Sequence, residues 1–260
     1  MVKRDQLTQF IYQTIGQDLL DAAVKNDDNA NSLQIRGREK VERVALGVSL
    51  SFEFLEQAIQ QKADYCILHH GIRINDTILR GRFEPYEDRL KLIFQNELTI
   101  TGFHYTLDVH PTIGNNAIII SRLGAKRTNE PFFDGWGWVG EYQKPIDVKS
   151  IAARASALFK RQVYTAFTGP KQVKRIGVCS GGAKPRGNTF YEIIDKKIDL
   201  LISGEISESG PYYSKEGRYN YFSCGHYATE TFGISALGDK IKDNFGQKIN
   251  VMFIDTPTIL

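Results

Sequence analysis

A chain of 260 residues with 42% apolar and 24% charged side chains is long enough for one large domain or two small ones with ordinary cores. Its net charge of +3 creates no field for gripping a nucleic acid, and no run reaches the ~18 apolar residues of a membrane span, so neither partner is expected. Three scattered cysteines without a paired motif, and an N-terminus lacking the apolar core of a signal peptide, point to a reducing, cytoplasmic location.

From the N-terminus, Leu7, Phe10, Ile11, Ile15, Leu19 and Leu20 recur at helical spacing and predict one amphipathic helix over 4–23. A polar loop over 26–31 follows. Val41 to Leu50 reads as a buried strand, Ser51 as an N-cap and 52–62 as a helix. Residues 63–68 form a second apolar strand that runs straight into His69 and His70. A helix over 87–96 precedes a strand over 98–103, which delivers His104 and Asp108. A helix over 115–123 ends at Gly124, a C-cap glycine. The alternation then resumes. A strand over 173–179 leads into the turn Ser180-Gly181-Gly182-Ala183-Lys184 and a helix over 189–197. A strand over 200–203 leads into Gly204-Glu205, and a helix over 211–216 precedes a strand over 219–222. The stretch Cys224-Gly225-His226-Tyr227-Ala228-Thr229-Glu230 closes the series.

The two halves repeat one another in order. Val41-Glu42-Arg43-Val44 matches Val173-Lys174-Arg175-Ile176, and the 63–68 strand matches 198–203. Gly102 to Asp108 matches Gly225 to Glu230, and Ile120 to Gly124 matches Ile234 to Gly238. The expected fold class is therefore α/β, with two related α/β domains. Their bounds are 1–130 and 131–260, with the seam somewhere in 126–149. Polar residues follow the C-terminal ends of the strands, where open α/β sheets bind ligands. Two such edges facing one another would enclose a metal site in the cleft between the domains.

Four of the five histidines fall in three clusters, each beside a strand end. His226 and Glu230 are spaced to share one helical face, and His104 and Asp108 repeat that spacing. His69, His70, Asp108, His226 and Glu230 supply three imidazoles and two carboxylates. That is too many donors for one four-coordinate ion with an open position, and it suits two divalent ions ~3.5–4 Å apart. A nitrogen and oxygen set without thiolate favours Fe, Mn, Zn, Co or Ni. Adjacent histidines on extended chain point opposite ways, whereas at a strand end they can diverge to serve one ion each. His104 takes the place in the first half that His226 takes in the second. It stands as a ligand, as a support for one, or as the candidate catalytic acid–base. His110, before Pro111, reads as a loop residue. Glu205 occupies the place of the His69-His70 pair, where it would orient a ligand or water, or stabilise a helix start. Gly135 to Gly140 satisfies GxGxxG, but two tryptophans and Pro145 make it a packed turn or β segment. The Ser180–Lys184 turn offers amides for a phosphate, although a tight strand-to-helix turn is the better reading.

These motifs together resemble the Nif-three-like family of dinuclear-metal-centre proteins, often labelled GTP cyclohydrolase 1 type 2 homologues. The resemblance is carried by Leu68-His69-His70-Gly71, Gly102-Phe103-His104 with Leu107-Asp108, and Gly114-Asn115-Asn116-Ala117. It continues through Gly137-Trp138-Val139-Gly140-Glu141, Cys179-Ser180-Gly181-Gly182, Ser203-Gly204-Glu205 and Gly225-His226 with Ala228-Thr229-Glu230. Phe253-Ile254-Asp255-Thr256-Pro257 looks like its short bacterial branch. The resemblance implies two divalent ions bound by the five residues named above, with His104 beside them, and a toroidal homohexamer. Ile72-Arg73 departs from the apolar and aromatic pair often found after His-His-Gly, which alters the expected cleft wall. The implied activity is metal-dependent hydrolysis of a nucleotide or another phosphorylated small molecule. The alternative is a non-enzymatic metal-binding, metal-delivery or scaffold protein.

Overall fold

The computed structural model describes residues 1–28, 31–73 and 86–258. The chain divides into two compact units, residues 1–110 with 233–256 and residues 111–232 with 257–260. No helix among the described residues is long and apolar enough to cross a membrane.

The first unit holds a five-stranded sheet in the order Asn250–Phe253, Arg43–Ser49, Tyr65–His70, Thr99–Phe103, Asn31–Ile35. The first four strands are parallel and the last is antiparallel to its neighbour. Tyr65 to Leu68 are buried at every position, as a parallel strand covered on both faces requires. On one face, Phe54, Leu55 and Ala58 of the helix Phe52–Gln60 pack with Ala45, Cys66, Leu68, Ile93, Ile100 and Ile254. Ser51 caps this helix by accepting from the Phe54 amide, as its sequence position predicts. The helix Thr231–Phe245 lies close to the sheet. A Cβ at its Gly238 would stand 2.2 Å from Leu46 Cδ1.

Two sequence expectations are corrected here. The single N-terminal helix is two, Arg4–Ile15 and Gln17–Asn26, because Gly16 takes φ 91° and ends the first. The strand over 41–50 is also two pieces. Lys40–Val41 pairs with Val2–Lys3, and Arg43–Ser49 joins the large sheet. Between them the amides of Glu42 and Arg43 turn to Asp64 Oδ2 at 2.8 and 3.0 Å. Of the expected loop over 26–31, residues 29 and 30 lie outside the described residues, and Asn31 begins the antiparallel strand.

The second unit holds a six-stranded sheet in the order Lys126–Phe132, Gly137–Asp147, Gln172–Cys179, Leu200–Ser203, Asn220–Ser223, Tyr164–Ala166. Its three central parallel strands carry Ile176, Val178, Leu200, Ile202 and Phe222 into one core, with Ile119, Ile120, Ile151 and Ala155 from two helices. Leu201 and Tyr221 face a second core with Val139 and Ile193. The GxGxxG stretch lies on a hairpin. Phe133, Asp134 and Gly135 all have positive φ (58°, 54°, 85°), the left-handed conformation that reverses a chain tightly between strands. Residues 126–147, most of the expected seam, form the two strands of this hairpin and its turn.

One local device recurs. Asp199 Oδ2 accepts from the amides of Lys174 and Arg175 at 2.8 and 2.9 Å, the contacts Asp64 makes with Glu42 and Arg43. These are the residues the sequence comparison aligned. In each unit the parallel strands end along one edge. His69 and His70 are the last two residues of their strand and His104 follows the next. Glu205 and His226 follow the corresponding strands of the second sheet.

Candidate metal centre

In the first unit the rings of His69, His70 and His104 stand with centroids 4.7, 4.9 and 5.2 Å apart. Their ligand nitrogens lie within 4.8 Å of one another. The alternation of an extended strand does not separate the adjacent pair, because both lie where the sheet ends. Asp108 joins this group from the short helix Tyr105–Val109. Its Oδ2 is 3.6 Å from His69 Nε2, and both side chains are almost wholly buried.

Each of these rings is held by its Nδ1 atom. His69 Nδ1 donates to the Phe103 carbonyl at 3.1 Å, a group that can only accept. His70 Nδ1 is 3.0 Å from Ser49 Oγ, which the parallel register places directly opposite it. His104 Nδ1 is 2.9 Å from Asp27 Oδ2. An imidazole whose Nδ1 proton is committed to an acceptor carries its lone pair on Nε2. His110 is turned the other way, with Nε2 at 3.2 Å from the Thr14 carbonyl, in keeping with a loop histidine outside the site. Burial lowers its pKa.

In the second unit His226 opens the four-residue helix His226–Thr229. Its Nε2 lies 3.1 Å from Glu230 Oε1, and its Nδ1 lies 2.5 Å from Glu205 Oε1. Glu230 is buried and His226 half-buried. Burial works against the imidazolium, but Glu230 and Glu205 outweigh it and raise the His226 pKa to about 9. Glu205 in turn is bonded by the Lys184 ammonium, which together with His226 holds its carboxyl below the usual range. The nearby backbone is glycine for a steric reason. A Cβ on Gly181, whose φ is +64°, would stand 2.3 Å from Glu230 Oε1. One on Gly204 would meet the Gly181 carbonyl at 2.6 Å. The amides of Ser180 and Gly181 are committed to Asn116 Oδ1 and Thr229 Oγ1, so these two are not available to a phosphate.

Donor spacing tests whether a metal fits. Two ligand atoms each about 2.0–2.2 Å from one ion stand roughly 2.8–3.6 Å apart. The His226–Glu230 and His69–Asp108 separations of 3.1 and 3.6 Å are of that size. No cysteine is in the donor group found among the described residues. All three cysteines are buried, and burial pushes Cys66 up to about 12 and Cys224 upward as well. The six predicted site residues come from both units, His69, His70, His104 and Asp108 from the first and His226 and Glu230 from the second. Sequence reasoning missed Asp27 and Ser49, whose only signal is a fold that brings distant segments together.

An α/β chain with imidazoles and carboxylates gathered at its strand ends has the donor chemistry of a metal-binding protein. Residues 6–258 match the family model Duf34/NIF3 (NGG1p interacting factor 3), and the chain belongs to that family. A relative from Pyrococcus abyssi, named GTP cyclohydrolase 1 type 2 homolog, is 33% identical over 263 residues and 99% of each chain. One of the same name from Vibrio cholerae is 32% identical over 97% of this chain and 98% of its own. The crystal structure of TTHA1606 from Thermus thermophilus matches with a TM-score of 0.81 and 26% identity over 100% of both chains. Family membership and the histidine and glutamate donors together support a metal-binding protein of this family.

Proposed function

We propose that this protein is a metal-dependent hydrolase acting on a nucleotide or another phosphorylated small molecule. In this reading two divalent ions are held jointly by His69, His70, Asp108, His226 and Glu230, with His104 in the same donor set as His69, His70 and Glu230. The observation that carries it is the common anchoring of the histidines through Nδ1, which turns Nε2 into the coordinating atom. Ions held there would supply Lewis acidity and lower the pKa of water near neutral pH. Asp108 and Glu230 offset their charge. His104, with its Nδ1 proton held by Asp27, presents Nε2 to the same site as a further donor, and when that atom is not coordinated it is the candidate acid–base. The relatives' name directs the substrate class toward nucleotides. The two units are read as related copies, with the metal site in a cleft between them and a ring-shaped homohexamer as the assembly.

Elemental analysis of untagged protein, with nucleotide and phosphoester turnover of the parent, His226→Ala and Glu230→Ala, tests the proposal. About two transition-metal equivalents per chain, with turnover lost in both variants, is the expected result. Turnover unchanged in the variants overturns it. Metal retained without turnover on any phosphorylated substrate leaves a metal-binding or metal-delivery protein instead. Sedimentation as a monomer removes the ring.

A further inference from the structure

Asp27 and Glu205 are carboxylates outside the ligand set that touch it at equivalent atoms. Asp27 Oδ2 meets His104 Nδ1 at 2.9 Å, and Glu205 Oε1 meets His226 Nδ1 at 2.5 Å. His104 and His226 are the histidines that the two halves of the sequence align. The carboxylates are not aligned. Asp27 follows the helix Gln17–Asn26, whereas Glu205 follows the strand Leu200–Ser203. Two unrelated segments therefore deliver the same group to the same atom of matching histidines, which repetition of the chain does not explain.

Both carboxylates are themselves fixed. The Asp27 side chain is 2% exposed, and its Oδ2 also accepts from the Tyr105 amide at 3.1 Å and from Asn31 Nδ2 at 2.8 Å. Glu205 is bonded by the Lys184 ammonium. A fixed carboxylate on Nδ1 sets the ring's orientation and tautomer and makes Nε2 a more basic donor.

We propose that Asp27 and Glu205 are positioning residues for metal binding, holding the Nδ1 protons of His104 and His226 so that each ring offers Nε2 to the ion. This rests on the metal-binding reading above, and its test is separable from that reading. The dissociation constant for Zn²⁺ is measured by chelator competition on the full chain for the parent, Glu205→Ala, Glu205→Gln and Asp27→Asn. Glu205→Ala weakens zinc binding by about 10–100-fold, the usual effect of removing such a support. Glu205→Gln falls between it and the parent, because the amide oxygen still accepts the Nδ1 proton. Asp27→Asn keeps an acceptor for the Tyr105 amide and also weakens binding. A merely structural role lowers thermal stability without this graded order in zinc affinity. Variants that bind zinc as tightly as a zinc-binding parent overturn this inference alone. A parent that binds no zinc overturns the metal-binding reading and this inference with it.

Discussion

His226 stands between two carboxylates, and its proton has thermodynamic consequences in the metal-free protein. Its folded pKa of about 9 lies above the ordinary 6.5. The paired imidazolium therefore contributes its full stabilisation below about pH 6.5 and loses it as pH rises through about 9. Melting curves of the metal-free parent and His226→Asn, compared from pH 6 to 10, are expected to differ most at the acid end and to converge above pH 9. A gap independent of pH contradicts this origin. At neutral pH an incoming ion displaces that proton, so calorimetry in buffers of different ionisation heat should record proton release on binding. Gly181 is the second sensitive residue. Gly181→Ala places a methyl 2.3 Å from Glu230 Oε1 at φ +64°, with an expected cost of ~1–3 kcal/mol and weakened metal retention. The sequence exposed His226 and Glu230 because they are four residues apart. It could not expose Asp27, which reaches His104 across 77 residues.

The central elements were legible because buried parallel strands are apolar at every position, so Tyr65–His70 and Leu200–Ser203 stand out from polar surroundings. The edges were not. Asn31–Ile35, Tyr164–Ala166 and Asn250–Phe253 are short and only partly buried, which leaves no clean period to detect. Gly16 was read through because apolar residues keep helical spacing on both sides, and one interior glycine costs a helix only ~1 kcal/mol. Asp64 and Asp199 show what spacing alone does not convey. Each gathers two amides at the start of the preceding parallel strand. Asp64→Ala and Asp199→Ala are each expected to cost ~1–3 kcal/mol by stranding those amides, with the Asn variants milder. Denaturant midpoints of the four variants measure this. Values equal to the parent's would show that water replaces the carboxylate without penalty.

Chain connectivity makes the two units unequal as folding entities. The second unit's sheet lies wholly within the continuous segment from Lys126 to Ser223. The first unit takes its edge strand Asn250–Phe253 from the far end of the chain, paired with Arg43–Ser49 through Val251 and Val44. Ile254 is buried in its core. A fragment of residues 111–232 therefore contains every strand of its sheet and both of its cores, and is expected to fold alone. A fragment of residues 1–110 lacks that edge strand, Ile254 and the helix Thr231–Phe245. It exposes the unpaired edge of Arg43–Ser49 and is expected to aggregate or remain unfolded. A cut after residue 130 would divide the strand Lys126–Phe132 and damage the second unit. Circular dichroism and amide-proton dispersion of the fragments 111–232, 1–110 and 131–260 decide the matter. Dispersed spectra from 131–260 and not from 111–232 would favour the seam suggested by the sequence repeat. The reverse result would show that the folding unit follows the sheets and not the repeat. His226 and Glu230, both within 111–232, would then be available for metal titration without His69, His70 and His104.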